Sequence, residues 1–390
     1  MNKGKTVFSQ LMSFFPWYEF DKCVKKYDGD YKVHSFTCRQ QFMVMCFAQL
    51  TGRESLRDIE ACLNAVPDKL YHSGFRAKIR KSTMADANES RDWRIFADFA
   101  QVLIPEARSL YQNDNDFKVE INNMVYALDS TSIELCLSLF PWAKFREHKG
   151  AVKAHTVLDL RGSIPTIIKL TDGLCHDVNI LDELEYEPGA FYIMDRGYVD
   201  FKRLFRIHKS GAFFVTRAKR GFDFVRIDSR KVNKKTGLIC DQTIRANGFY
   251  TSKDYPDTLR RIRYHDKETD KSFVFLTNST KTKSLIITQL YKERWKIELF
   301  FKCIKQNLRI KVFYGTSRNA VYLQIWIAVC VYLLLAIIKA KLKIKIGLHT
   351  MSQVLEFCIF EKTPLNQLFS DEYLTDLETE YSNQLTLFDL

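Results

Sequence analysis

From Ala320 to Ile338 the chain runs for 19 residues with Gln324 as its only clearly polar member, and Lys339, Lys341, Lys343 and Lys345 follow. By length and flanking charge the run could span a bilayer, or form a helix enclosed on every side by protein. The second reading fits its setting, directly after a charged segment of helical period in a chain large enough to need a wholly buried helix. A hydrophobic content of 46% and an aromatic content of 14% supply the material for such a core. No membrane partner is expected.

Around that helix the hydrophobic period changes twice. Residues 1–80 read as helical, with helices near 7–15, 39–51 and 55–64. In Thr51-Gly-Arg-Glu-Ser-Leu-Arg-Asp-Ile-Glu one helix ends and another starts on Ser55 as N-cap, a pattern shared with helix-turn-helix modules. Residues 81–118 form a helical connector, with a helix from Arg91 to Tyr111 and a polar break at Gln112-Asn-Asp-Asn-Asp. Then Met124–Asp129, Val152–Leu158 and Ile164–Leu170 read as strands. Asp177–Glu185 reads as a helix, Phe191–Asp195 as a strand, Phe201–Lys209 as a helix and Ala212–Thr216 as a strand. That order is the order of a ribonuclease H-like α/β layer. Residues 219–271 read as a β-rich insertion that the strand Ser272–Thr277 closes. The expected architecture is therefore α/β. A ribonuclease H-like mixed sheet flanked by helices spans 119–316, a helical DNA-binding domain covers 1–80, and a helical region with an acidic tail covers 317–390.

Three carboxylates stand at positions where chemistry is done. Asp129 ends an apolar strand and precedes Ser130 and Thr131, and Asp195 ends another in Met-Asp-Arg-Gly-Tyr198. Glu298 lies in Leu290–Lys305, which has good helix formers and no Gly or Pro. At roughly 100° per residue, Tyr291, Arg294, Glu298 and Lys305 fall within roughly a 60° arc of one helix. Ile297, Phe300, Phe301, Ile304 and Leu308 form a separate apolar stripe for burial. Carboxylates at the carboxyl ends of adjacent strands face the crevice where α/β sheets hold ligands. Three hard oxygen donors there suit Mg²⁺ or Mn²⁺, and two such ions about 3.5–4 Å apart serve phosphoryl transfer. Taken singly, each Asp reads as a strand-end turn cap; the three in this element order point to a shared site.

The charge distribution names the other participant. Of the net charge of +13, residues 217–271 carry 15 Lys/Arg against 8 Asp/Glu, and residues 281–311 carry 9 against 2, whereas 346–390 carry 1 against 8. Basic segments flanking a carboxylate helix point to nucleic acid, whose phosphates release counterions on neutralisation. His148, Lys149, Lys153 and His155, between the first two strands, read equally as phosphate contacts or a solvated β edge. Ten Cys without a Cys-x-x-Cys pair, and no secretory signal, suit reduced thiols in a cytoplasm. Cys175-His176 lacks a second pair at zinc spacing and reads as structural.

Asp129-Ser-Thr131, Asp195-Arg-Gly-Tyr198 and the set Tyr291, Arg294, Glu298, Lys305 together resemble the aspartate-aspartate-glutamate transposases of the insertion-sequence-4 type. The last set matches that family's tyrosine-arginine-glutamate-lysine signature, and the likeness covers about residues 120–316. It implies that Asp129, Asp195 and Glu298 are catalytic and ligate two Mg²⁺ or Mn²⁺ ions. It implies that Tyr291, Arg294 and Lys305 hold double-stranded DNA; Arg196 and Lys149 are further candidate contacts to it. It implies a homodimer on paired ends that binds terminal inverted repeats, cleaves the element's ends and transfers them to target DNA, in related members through a hairpin. Such members stack an extruded base on aromatic residues, for which Trp295 is the candidate. The insertion lacks the Trp that close relatives place there, so Phe222, Phe224, Phe249 or Tyr250 would substitute. A tail peptide, Gln384-Leu385-Thr-Leu387-Phe388, resembles the pentapeptide that bacterial proteins dock on the replication sliding clamp. The rival readings are a DNA-binding protein that keeps the fold without the reaction, and a stand-alone metal-dependent nuclease.

Overall fold

The computed structural model describes residues 4–370 except 76–77, 113–116, 148, 309 and 311, and describes His72 and Asn307 by backbone alone. His148 and the tail residues Gln384, Leu385, Leu387 and Phe388 lie outside the described residues. The chain divides into two compact units. One gathers the chain up to Gln112, Ser138–Trp142 and the chain from Lys302 onward; the other gathers residues 113–137 and 143–301.

The helical unit is built around the long apolar run. Its N-terminal helices are α1 (Val7–Met12), α2 (Trp17–Lys26), α3 (Cys38–Leu50), α4 (Leu56–Asn64), α5 (Pro67–His72), α6 (Lys81–Ser90) and α7 (Arg94–Tyr111). Ser55 caps α4 as its sequence predicts, its hydroxyl accepting from the Asp58 N–H, and Thr37 with Gln40 forms a reciprocal capping box on α3. α2 is a helix beyond the three placed in residues 1–80 from the sequence: Pro16 precedes it, and only Phe20, Cys23 and Val24 of its ten residues are buried. The helix over Arg318–Lys341 buries every residue from Ala320 to Ile338, against α7, α3 and α6. Gln324 is the one clearly polar residue between Ala320 and Ile338, and its amide and its backbone carbonyl are all paired. Its Nε2 donates to the Val312 carbonyl at 2.7 Å, its Oε1 accepts from the Tyr314 N–H, and its carbonyl accepts from Gln49 Nε2. The sequence separates residues 1–80, 81–118 and 317–390. The contacts join them, because the N-terminal helices cover the surface that this apolar helix must hide.

The second unit is one ten-stranded sheet. Its strands are β1 (Val125–Leu135), β2 (Lys144–Arg146), β3 (Lys149–Asp159), β4 (Ile164–Asp172), β5 (Phe191–Met194), β6 (Phe213–Arg217), β7 (Phe224–Arg230), β8 (Leu238–Ala246), β9 (Leu259–Asp266) and β10 (Lys271–Thr277). The order is β2-β3-β1-β5-β6-β10-β9-β8-β7, with β4 also on β3. Within it, β4-β3-β1-β5-β6 is the ribonuclease H-like core: β3 runs antiparallel to β1 and β4, while β1, β5 and β6 are parallel. The insertion does not form a separate sheet. β10 pairs antiparallel with β6, and β9, β8 and β7 extend the same sheet outward.

Helices α8 (Phe201–Lys209) and α9 (Phe249–Asp254) belong to this unit, as do α10 (Ser284–Glu293) and α11 (Trp295–Lys302). Here two expectations change. Asp177–Glu185 is a 3₁₀ segment over Asp177–Asp182, where Asn179, β-branched Val178 and Ile180, and two Asp make a poor α-helix. The single helix read over Leu290–Lys305 breaks at Arg294, the C-cap of α10, and α11 gives way to a π-helical turn over Cys303–Asn307. The 100° count therefore does not reach Lys305, which lies in that turn. After it come α12 (Arg318–Lys341), α13 (Leu348–Cys358) and α14 (Leu365–Leu368).

Leu333, at the centre of α12, has no exposed surface. Leu333→Ala is expected to cost about 2–5 kcal/mol of unfolding free energy from lost burial and the cavity left behind. Urea denaturation with an unchanged m-value reads this; an unchanged midpoint would refute the enclosed helix.

Candidate active site

Strand register sets the site. Ala127 pairs with Ile193 across β1 and β5, and Ile193 with Val215 across β5 and β6. Two residues further along each parallel strand stand Asp129, Asp195 and Arg217, on one line and, by the two-residue alternation, on one face. Asp129 is not at a strand end as its sequence suggests: β1 continues to Leu135 because β3 keeps pairing with it, through Asp129↔Thr156 to Leu135↔Gly150. What ends at Leu128↔Met194 is the parallel ladder with β5, so Asp129 still marks the carboxyl end of the parallel core.

Helices α10 and α11 bring the remaining groups. The Tyr291 hydroxyl donates to Asp195 Oδ1 at 3.3 Å. Arg294 donates from Nη1 to Asp129 Oδ2 at 2.7 Å and from Nη2 to Glu298 Oε1 at 2.6 Å. One guanidinium thus joins two carboxylates, and with Tyr291 the structure brings Asp129, Asp195, Glu298, Tyr291 and Arg294 together. Burial pushes the Asp129 carboxyl up from its ordinary range, and the nearby Glu298 and Asp195 charges add to that, against the Ser130 N–H and Arg294. Burial also lifts the Tyr291 hydroxyl to about 12, so it stays a hydrogen-bond donor. Burial opposes the Arg294 charge, but Tyr291, Asp129 and Glu298 outweigh it and hold the guanidinium protonated.

A buried ion pair fixes where α10 begins. Arg260 on β9 donates from Nη2 to Asp241 Oδ2 on β8 at 2.6 Å, the two side chains being 4% and 3% exposed. The Ser284 hydroxyl, in the first residue of α10, donates to the same Asp241 oxygen, and Arg260 Nη1 takes the carbonyls of Ser279 and Thr282. Every polar group of the pair is answered, which is the condition under which such a pair is tolerated in a core.

Beside the carboxylates lies a cavity of about 790 Å³, lined by Arg217, Tyr264, Phe273, Phe275, Tyr291, Lys292, Arg294 and Trp295 among others. Phe273 and Phe275 are stacked, Phe275 lies 4.9 Å from the Tyr291 ring, and the Arg217 guanidinium sits over Phe273. Trp295 is 59% exposed at this cavity. The sequence alone does not single out Arg217, Tyr264, Phe273 and Phe275, because the pairing of β5 with β6, β6 with β10 and β10 with β9 is what places them near Asp195.

Other candidates are placed differently. Phe222 stacks on Phe201, and Phe224 packs with it against the core. Phe249 and Tyr250 are exposed on α9. Neither pair lines the aromatic cavity. Lys153 is bound to Asp177 and the Cys175 carbonyl, and His155 is buried against Thr171, so neither offers a free phosphate contact. Arg196 is exposed in the 3₁₀ turn after Asp195. Lys149 is exposed opposite Arg146, roughly 20 Å along the strand from Asp129 by residue rise.

The donor set consists of oxygens and suits a hard divalent cation. In the present arrangement, however, no three Asp, Glu, His or Cys side chains among the described residues are grouped to hold a metal ion. The reason is visible at Arg294, whose guanidinium stands between two of the three carboxylates.

Comparison with known proteins gives the family. Residues 122–334 match the transposase DDE domain family, and residues 3–76 match a domain family of unknown function. A protein of Sinorhizobium fredii described as a transposase is 33% identical over 283 residues, which cover 72% of this chain and 77% of that protein. A protein of Geobacillus stearothermophilus described as a transposase for insertion sequence element IS5377 is 27% identical, over 53% of this chain and 55% of its own. A piggyBac transposase in a synaptic complex with hairpin DNA aligns at a TM-score of 0.47 and 11% identity, over 95% of this chain and 84% of its own. With the family match covering more than half of its length, the chain belongs to the DDE transposases.

Proposed function

We propose that this transposase cuts DNA at the ends of an insertion sequence and joins the freed ends to target DNA. The observation that carries the reading is the gathering of Asp129 and Asp195 on the sheet with Glu298 on α11, through the contacts of Arg294 to Asp129 and Glu298 and of Tyr291 to Asp195. Asp129, Asp195 and Glu298 would hold two Mg²⁺ or Mn²⁺ ions. When bound, these supply Lewis acidity to the attacking water or hydroxyl and to the leaving oxygen. Tyr291 and Arg294 hold the scissile phosphate, with Arg217 and Lys292 at its flank, where guanidinium forks match phosphate oxygens. Lys305, Arg196 and Lys149 serve as outlying contacts to the backbone. Residues 1–80 read the terminal repeats. An element has two ends, so two copies of the chain act on one pair.

The cavity beside the carboxylates takes a base unstacked at the cut. Its walls are Trp295, Tyr264, Phe273 and Phe275, and base–aromatic stacking is tolerant of sequence. These rings supply the aromatic surface that the insertion lacks as Trp, which supports a hairpin route.

Cleavage of an end-containing duplex in Mg²⁺ is expected to fall at least roughly 1,000-fold in Asp195→Ala and in Glu298→Gln, the loss that several kcal/mol of transition-state stabilisation represents. A gel shift in EDTA should show DNA still bound, and a random duplex should remain uncut by the wild type. Undiminished cleavage by both variants would remove the assignment.

Trp295→Ala is expected to weaken end cleavage by the about 1–3 kcal/mol of one stacked base. A substrate with an abasic site at the stacked position should erase the difference between variant and wild type. An equal penalty on both substrates would make Trp295 a packing residue.

The tail segment Gln384–Phe388 docks on the replication sliding clamp through Leu387 and Phe388 as apolar anchors. Replacing both with Ala should abolish retention on immobilised clamp; full retention would dispose of that partner.

A further inference from the structure

Resting on the reading of Asp129, Asp195 and Glu298 as metal ligands, we propose that Arg294 is the site's own cation in the unloaded protein. Metal entry displaces it toward a DNA phosphate, so that metal and DNA binding are coupled through this one side chain.

Three observations converge on Arg294. Its two terminal nitrogens are both spent on carboxylates, at 2.7 Å to Asp129 and 2.6 Å to Glu298. The side chain is only 16% exposed, so these contacts are made largely out of water, where a cation is needed to offset neighbouring negative charges. An ion bonded to the same oxygens at roughly 2.1 Å would lie within contact distance of the guanidinium, and the two like charges cannot share that space. One of them must leave.

The guanidinium is also built to leave. Its Nε is buried with no hydrogen-bond partner, so the two carboxylates are the polar groups that hold it. Arg294 sits at the break between α10 and α11, where it is the C-cap of α10. The same side chain lines the cavity shared with Arg217, Lys292 and Trp295. Released from the carboxylates, it turns into a cationic wall where a backbone phosphate fits. A DNA phosphate that draws Arg294 away vacates the metal site, and metal that occupies the site frees Arg294 for phosphate. By linkage each raises the other's affinity by the same factor.

The test is Mn²⁺ binding to the full-length protein, followed by electron paramagnetic resonance of free Mn²⁺, with and without a 30-base-pair duplex carrying the element's end. For wild type, the duplex is expected to tighten Mn²⁺ by about 5- to 150-fold, the usual range of such coupling. Arg294→Gln, which keeps a polar side chain and removes the charge, should bind Mn²⁺ about tenfold more tightly without DNA and lose the effect of the duplex. Arg294→Lys pairs with one carboxylate at a time and should fall between the two, carrying the test if the Gln variant does not fold. Unchanged or weaker Mn²⁺ binding by the folded Arg294 variants, or no effect of DNA on the wild type, would overturn the coupling. Asp195→Ala separates the two claims. If it loses Mn²⁺ while the Arg294 variants behave as wild type, only the coupling fails. If it binds Mn²⁺ as wild type does, the ligand assignment itself fails.

Discussion

Everything at this site depends on two short parallel ladders. β1 with β5, and β5 with β6, hold Ala127, Ile193 and Val215 in one row, and the two-residue period then fixes which side chains stand on the next row up. A one-residue slip in either ladder would turn Asp129 or Asp195 to the opposite face. These strands are buried on both faces: Val125, Ala127, Phe191, Ile193 and Val215 on one, and Leu128, Met194 and Phe214 on the other, have essentially no exposed surface, so the packing of both layers holds the register. The carboxylates owe their position to apolar residues that never touch a substrate.

The helix that completes the site is anchored from the insertion. Arg260 and Asp241 are buried together and take hold of Ser284 and the carbonyls of Ser279 and Thr282. They thereby set where α10 starts and, some ten residues on, where Arg294 and Glu298 stand. Breaking such a pair from one side strands a buried charge, at a cost of about 3–5 kcal/mol. The β insertion therefore does more than add basic surface. By extending the catalytic sheet through β10 it brings Phe273 and Phe275 alongside Tyr291, and it fixes the entry of the glutamate helix.

Much of this was legible in the chain, for identifiable reasons. The apolar run at 320–338 could only be enclosed or lipid-exposed, and its single polar residue, Gln324, is satisfied internally. Ser55 and the carboxylate-bearing strands announced themselves through capping chemistry and apolar runs, which are local. What was not legible is non-local. The extension of β1 past Asp129 depends on pairing with β3, and residues such as Ser130 and Thr131 carry no apolar signal for it. Arg217 looks like one more charge at the edge of a basic stretch until β5 and β6 are paired. The burial of His155 and the engagement of Lys153 with Asp177 likewise follow from which 3₁₀ turn packs over them, and no periodicity encodes that.

The break between α10 and α11 carries the last step. A continuous helix over Leu290–Lys305 would have placed Arg294 and Glu298 mid-helix, where peptide dipoles favour neither charge. Broken at Arg294, the segment puts the guanidinium at the C-terminal end of α10 and Glu298 in the first turn of α11. Cations are favoured at the first kind of position and carboxylates at the second, each by about 0.3–1 kcal/mol and more when partly buried. The two charges retain their i,i+4 contact while each gains from its own helix end. The irregularity that defeats a simple helical count is thus what lets one short segment present an acid and a base to the same few ångströms of sheet, with Arg294 left at a joint rather than locked within a helix.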